Sequence, residues 1–333
     1  MPSSAKLIHV QKIWDKASHN AFGDLARFQS RWYVTFREGE THHLGEGAIR
    51  IIVSDNGEQW SSAALITPKP EHDLRDPHLE VTPDGRLMLI GIDVIRSDHT
   101  RPGFVFQTVV WFSSDGRRWD AGTPVGESNV WIWRLTWHEN VAFGVGYSTL
   151  VDDQFARLYE TRDGIHFETR VDRVFDAGYP NESAIVFNDE GTAFCLLRRD
   201  GKPQETAQLG IARPPYLDWT WKDLGLRLGG PDMIRLPDGR LVAAARLYNV
   251  KAKYDMQFPW RTSLLWVDPE QGTMTEFLEL PSGADNSYPG MVYHDDLLWV
   301  AYYSGHEDTC DLYHLERQIN IYLAKVRLPV LGG

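Results

Sequence analysis

Asp24, Asp76, Arg134, Glu182, Asp232 and Tyr288 stand at matching places in a pattern that recurs along the chain, and all six are polar. A second series follows one strand later in each copy: Arg37, Asp93 or its neighbour Ile92, Tyr147, Arg198 (or the adjacent Arg199), Arg246 and Tyr303. If both series face one hole, acids, a phenol and guanidiniums share a cavity. Arg37, Arg198 and Arg246 each end an otherwise apolar strand. Three buried guanidiniums in one place repel one another unless an anion joins them, and each fork suits a carboxylate or sulfate held bidentately. The alternative is that each arginine pairs privately with a pocket carboxylate such as Asp24, Glu182 or Asp232.

Such residues need elements to aim them. The stretch from Tyr179 to Arg199 holds two short runs rich in β-branched and aromatic residues, Ser183 to Phe187 and Thr192 to Leu197. The intervening Asn188-Asp-Glu-Gly191 supplies turn residues, so the stretch reads as a hairpin that brings Glu182 beside Arg198. The same grammar recurs from Asp76 to Gly91 and from Asp232 to Arg246, with looser copies at Asp24 to Arg37, Arg134 to Tyr147 and Tyr288 to Tyr303. Six copies at intervals of roughly 50 residues have the period of propeller blades. The fold expected is all-β, a single domain over residues 1–333: a six-bladed propeller of four-stranded antiparallel blades. The last blade offers only three strands of its own, so the strand from Leu7 to Trp14 is expected to complete it and close the ring.

Composition narrows the function. The formal net charge of −12 argues against nucleic-acid or anionic-membrane partners, which call for a basic surface. Thirteen tryptophans suit packing between sheets. Cys195 and Cys310 cannot form a disulfide framework. The first residues lack an apolar signal core and no run approaches a membrane span, so a cytoplasmic location is expected. No His-x-x-His or cysteine cluster predicts a metal or cofactor, although a structural calcium between loops stays open. Polar insertions at Val94 to Gly103, Asn249 to Trp260 and Gly305 to Gln318 are candidates for a pocket rim.

Three further segments, Ser54 to Trp60, Ser113 to Trp119 and Thr161 to Phe167, fit hydroxyl-x-Asp/Asn-Gly-x-x-aromatic. The acidic or amide side chain can cap the turn while glycine takes the left-handed position. These segments resemble the Asp-boxes (BNR repeats) of the sialidase, or neuraminidase, superfamily of six-bladed propellers. The resemblance implies a glycosidase in which Tyr288 is the nucleophile, Glu182 its base, and Arg198 and Arg246 grip a substrate carboxylate. A phenol with a pKa of about 10 needs such a base. Two departures stand out. The arginine of the superfamily's Arg-Ile-Pro motif is missing, since the chain reads His19-Asn-Ala-Phe-Gly-Asp-Leu25; Arg37 is the candidate third cation. The loop that carries the superfamily's acid/base aspartate reads Thr41-His-His-Leu-Gly-Glu-Gly47, where His42, His43 or Glu46 could serve. A second resemblance is Leu74-Arg-Asp-Pro77, similar to the Arg-Asp-Pro motif of invertases and levansucrases, which implies Asp24, Asp76 and Glu182 as a carboxylate trio.

The expectation is therefore an exo-acting glycoside hydrolase removing a terminal acidic sugar, with Asp76 as first choice for acid/base. Arg37, Arg198, Arg199, Arg246, Asp24, Arg134, Asp232 and Tyr303 are the candidate substrate contacts. A uronate lyase using tyrosine, histidine and arginine, and a non-catalytic glycan-binding propeller, are the alternatives; oligomeric state is left open.

Overall fold

The computed structural model describes residues 5–42, 45–96, 103–201, 205–255, 257–308 and 317–329. Among them, 24 strands form six four-stranded antiparallel sheets. Five sheets take consecutive strands. The sixth combines three C-terminal strands with Lys6–Trp14, which pairs antiparallel with Asn320–Arg327. No helix among the described residues is long and apolar enough to cross a membrane.

Each sheet buries both faces against its neighbours. Among the described residues there is one apolar cluster at each of the six interfaces between adjacent sheets. That between the sixth and first sheets includes Trp32 stacked on Trp299, with ring centroids 4.1 Å apart. Flat aromatic pairs of this kind contribute roughly 0.5–1.5 kcal/mol beyond the area they bury. The three hydroxyl-x-Asp/Asn-Gly segments are tight turns: Gly116 N donates to Ser113 Oγ at 2.8 Å, and Arg117 N and Arg118 N both donate to Asp115 Oδ1 at 2.8 Å. The turns at Ser54 and Thr161 repeat this scheme.

One irregularity governs where side chains point. All six innermost strands carry a β-bulge at the same register, where three steps on the inner strand face two on its partner: between Ala21 and Asp24, Arg75 and His78, Ile132 and Leu135, Pro180 and Ser183, Gly229 and Asp232, Ser287 and Gly290. A bulge re-aims the residues within it and frees a backbone N–H from the ladder. Proline, which has no N–H, fills the second bulge position three times, at Pro77, Pro231 and Pro289. Phe22, Asp76, Gly230 and Tyr288 occupy the first position with φ of 57°, 46°, 55° and 45°. For side chains other than glycine this left-handed geometry is strained and persists only where packing enforces it.

The bulge corrects the expectation that one register supplies six equivalent axial residues. Asp76 and Tyr288 are first in their bulges, Arg134 and Glu182 second, and Asp24 and Asp232 follow it. The six therefore divide between two levels along the axis.

Candidate active site

The upper level is a cavity of about 520 Å³ at one mouth of the ring. Phe22, Asp76, Trp133, Glu182 and Tyr288 reach it from the inner strands of five blades. Glu182 and Tyr288 meet there: the phenol donates to Glu182 Oε1 at 2.6 Å. Arg198 joins both, its Nη1 lying 2.6 Å from Glu182 Oε2 and 3.0 Å from the phenol oxygen. Gly230 N also donates to Glu182 Oε2, at 2.8 Å. Burial, then the nearby Glu182 carboxylate, pushes the Tyr288 phenol well above its usual range. Burial alone would disfavour charge on Arg198, yet Glu182 and Tyr288 more than offset it and hold the guanidinium cationic.

Asp76 lines the same cavity. Burial raises its carboxyl to about 7, with Arg75 opposing the rise and Glu182 adding to it. Such a group is largely protonated in mildly acidic solution and can donate. Facing these polar groups is an aromatic wall in which Trp131 stacks between Phe106 and Tyr147, with centroid separations of 5.9 and 5.6 Å. Val94, Arg96 and Phe104 extend it, so the first of the three insertions contributes to the rim.

The arginines are distributed differently from expectation. Arg37 has no exposed side-chain surface and is held by Asp73 through Nε at 2.7 Å and Nη2 at 3.2 Å, while Nη1 donates to Thr41 O. It is a structural cation whose partner, Asp73, lines the cavity. Arg246 bonds Asp285 Oδ1 at 2.9 Å, Asn286 O and the Tyr303 hydroxyl, and its guanidinium carbon lies 5.5 Å from the Tyr288 ring centroid. Tyr303 is buried beside it, its hydroxyl meeting Asp285 Oδ1 at 3.0 Å. Arg199 turns away to Thr206 and Asp223. Its neighbour Arg198 projects from the other face of the strand and is the one that bonds the cavity residues Glu182 and Tyr288. Private pairing, the alternative reading of the arginines, thus describes all three: Arg198 pairs with Glu182, one of the carboxylates expected, while Arg37 and Arg246 take Asp73 and Asp285.

Asp24, Arg134 and Asp232 lie one level deeper. With Glu80 they line an axial cavity of about 160 Å³ bounded by the inner strands of all six blades. Asp24 accepts Leu79 N of the second blade at 2.9 Å, and Asp232 accepts Met291 N of the sixth at 3.0 Å. Arg134 bonds Asp232 and approaches Asp24 at 3.6 Å. These three tie blades together below the pocket floor instead of lining the pocket. Burial raises the Glu80 carboxyl to about 8, which keeps that group largely protonated at neutral pH.

In the loop after the first blade's second strand, His42 lines the cavity, with Nδ1 2.5 Å from Asp285 Oδ2. Glu46 instead accepts Glu71 N at 2.8 Å, outside the cavity lining. His43 lies outside the described residues, as does Cys310. Sequence reasoning overlooked Asp73, Arg75, Trp131, Trp133 and Asp285. Arg75 is a cavity guanidinium whose carboxylate neighbours are distant, Asp76 at 3.6 Å and Asp73 at 3.7 Å, and its Nε is buried without a hydrogen-bond partner. It stood in plain view in Leu74-Arg-Asp-Pro77. A wider groove of about 720 Å³ beside Trp266 carries charges that are paired with each other, Arg235 with Asp189 and Arg240 with Asp238.

No protein-family model matches the chain, and no curated protein does so. Solved structures do resemble it. A protein of unknown function from Dyadobacter fermentans superposes with a TM-score of 0.80 at 17% identity, covering 98% of this chain and 99% of that one. The α-L-arabinofuranosidase of Fusarium graminearum, solved with arabinobiose, gives 0.71 at 12% identity over 98% of both chains. The Trypanosoma rangeli sialidase, solved with the inhibitor DANA, gives 0.68 at 11% identity, covering 98% of this chain and 60% of that one. At these identities the likeness is one of fold: the chain is a six-bladed β-propeller of the architecture seen in this sialidase and this α-L-arabinofuranosidase.

Proposed function

We propose that the protein is a retaining glycoside hydrolase that removes a terminal sugar, with Tyr288 as nucleophile, Glu182 as its base and Asp76 as acid/base. The observation that carries this reading is the 2.6 Å bond from Tyr288 to Glu182 in the same cavity as a carboxyl whose pKa is raised to about 7. Structural neighbours that are an α-L-arabinofuranosidase and a sialidase support the reaction class.

Asp76 protonates the leaving oxygen as the bond to the anomeric carbon lengthens. Tyr288 attacks that carbon while its proton passes to Glu182, forming a glycosyl–tyrosine intermediate. Arg198 contacts the phenol oxygen, and so stabilises the charge that develops there. Asp76, now ionised, then draws a proton from a water whose oxygen attacks the anomeric carbon; the bond from that carbon to Tyr288 breaks, and Glu182 returns the proton to the phenol oxygen. Because the layer of Asp24, Arg134 and Asp232 floors the cavity, a polymer cannot thread through, which favours release of terminal residues. Arg37 and Arg246 are committed to protein carboxylates, so recognition of an acidic substituent or a pair of hydroxyls falls to Arg75, and the sugar's apolar face to the Trp131 wall.

The test is turnover of aryl α-L-arabinofuranosides, uronides and sialosides, with product analysed for configuration. Release of a saturated sugar with retained anomeric configuration, lost in Tyr288→Phe, supports the proposal. An unsaturated, ultraviolet-absorbing product points to elimination. Binding across the panel without turnover points to a glycan-binding propeller.

A further inference from the structure

Three side chains meet beside the pocket without a part in the reaction just described. His19 opens the inner strand of the first blade, His42 lies in the loop after Arg31–Gly39, and Asp285 immediately precedes the inner strand of the sixth blade. His19 Nε2 and His42 Nδ1 both approach Asp285 Oδ2, at 3.2 and 2.5 Å. All three ligand-type atoms lie within 4.8 Å of one another. We infer that His19, His42 and Asp285 form a site for one divalent transition-metal ion of the zinc type, with its remaining coordination position facing the pocket.

The donor set selects the class of ion. Two imidazole nitrogens and one carboxylate oxygen suit zinc and its first-row neighbours, whereas calcium and magnesium demand mainly oxygen ligands. A tetrahedral ion with bonds of about 2.0–2.1 Å sets its ligand atoms about 3.3 Å apart. The His19–Asp285 separation already matches. His42 has to withdraw by less than about 1 Å, and it is the ligand with room to do so, its side chain being 19% exposed against 1% and 4% for His19 and Asp285.

The surroundings prepare Asp285 for this role. Its Oδ1 is held by Arg246 Nη2 at 2.9 Å and by the Tyr303 hydroxyl at 3.0 Å, which leaves Oδ2 directed at the two imidazoles. Outer contacts of that kind orient a metal-binding carboxylate. Two features limit affinity. Arg246 brings a positive charge to the same carboxylate, and His19 Nδ1 is buried without a partner, so one outer support is missing. The site is therefore weaker than a closed structural zinc centre. His42 packs edge-on against Phe22, centroids 4.9 Å apart, and Phe22 in turn against Tyr288 at 5.3 Å. A water or a hydroxyl of a bound ligand in the pocket completes the coordination.

Titration of the metal-free full-length chain with cobalt(II) tests the site without any assay of turnover, so its outcome is independent of the glycosidase reading. The expected result is a visible d–d band of low coordination number that saturates at one cobalt per chain and is displaced by zinc but not by calcium. In His42→Ala the band is lost and zinc binding weakens at least tenfold, while the melting curve of the metal-free protein stays close to the parent's. Asp285→Asn, which keeps the shape but removes the charge, weakens binding likewise. No saturable band, displacement by calcium, or an undiminished band in His42→Ala overturns the assignment.

Discussion

The Tyr288 hydroxyl donates to Glu182 Oε1 across 2.6 Å, joining the inner strands of the sixth and fourth blades through residues 106 apart in sequence. Only a ring that brings those strands to one axis makes the pair, and the bulge at each strand sets its angle. Replacing Tyr288 with Phe removes the phenol while keeping the ring that packs on Phe22 and Tyr303. The expected outcome is a fall in kcat of roughly 10³-fold or more, with the melting temperature nearly unchanged, measured by steady-state kinetics and calorimetry.

In the proposed reaction Asp76 is expected to set the pH dependence. Its carboxyl is raised from the usual carboxylate range to about 7, so it can act as an acid below that value and not above it. The expected kcat/KM falls about tenfold per pH unit above the raised pKa, and the falling limb disappears in Asp76→Asn. The sign for folding agrees: the native state binds this proton more tightly than the unfolded chain, so this group's contribution to stability is complete below pH of about 4. It is lost as pH rises through about 7.

Gly230 offers a test of positioning that removes no reacting group. Its φ is +55°, and a Cβ there would stand 2.6 Å from ring carbons of Tyr288. Its N–H also orients Glu182. Gly230→Ala is expected to lower kcat by about 10²-fold, the usual cost of a misplacement near 1 Å, with a smaller change in KM.

Arg37 and Arg75 are expected to separate folding from recognition. Arg37→Ala removes the two close hydrogen bonds to Asp73 and leaves it Gly47 N and the more distant Arg75; the expected cost is about 3 kcal/mol of stability, read from denaturant unfolding. Arg75 has only distant carboxylate neighbours. Arg75→Ala is expected to cost about 10–100-fold in kcat/KM, the scale of one hydrogen bond to a charged group, with a far smaller effect on unfolding.

Asp232 links the fifth blade to Met291 N of the sixth and neutralises Arg134. Asp232→Ala breaks both contacts and leaves Arg134 with Asp24 at 3.6 Å as its remaining close carboxylate; a loss of about 3 kcal/mol or more is expected from removing one partner of a buried pair. If Asp232 touched substrate instead, Asp232→Asn would raise KM; here KM is expected to stay within a factor of about two.

The chain by itself determined the six-fold repeat and the strands. β-branched and aromatic runs punctuated by Asn, Asp and Gly specify hairpins locally, and a fixed period specifies their number. It also determined that Glu182, Tyr288, Arg198 and Asp76 belong near an axis, because each stands near the mouth end of an inner hairpin. Tertiary structure decided the rest. The bulge separates Asp76 and Tyr288, which lie within it and above the floor, from Asp24 and Asp232, which follow it and lie below; Arg134 and Glu182 share one bulge position, and their partners decide between levels, Arg134 going to Asp232 and Glu182 to Tyr288. The bulge leaves a trace in sequence as the proline at positions 77, 231 and 289. The partners of Arg37 and Arg246, and the meeting of His19, His42 and Asp285, depend on contacts between strands far apart in the chain. Pairing across space leaves no local pattern, because burial and charge choose partners only after the ring has formed.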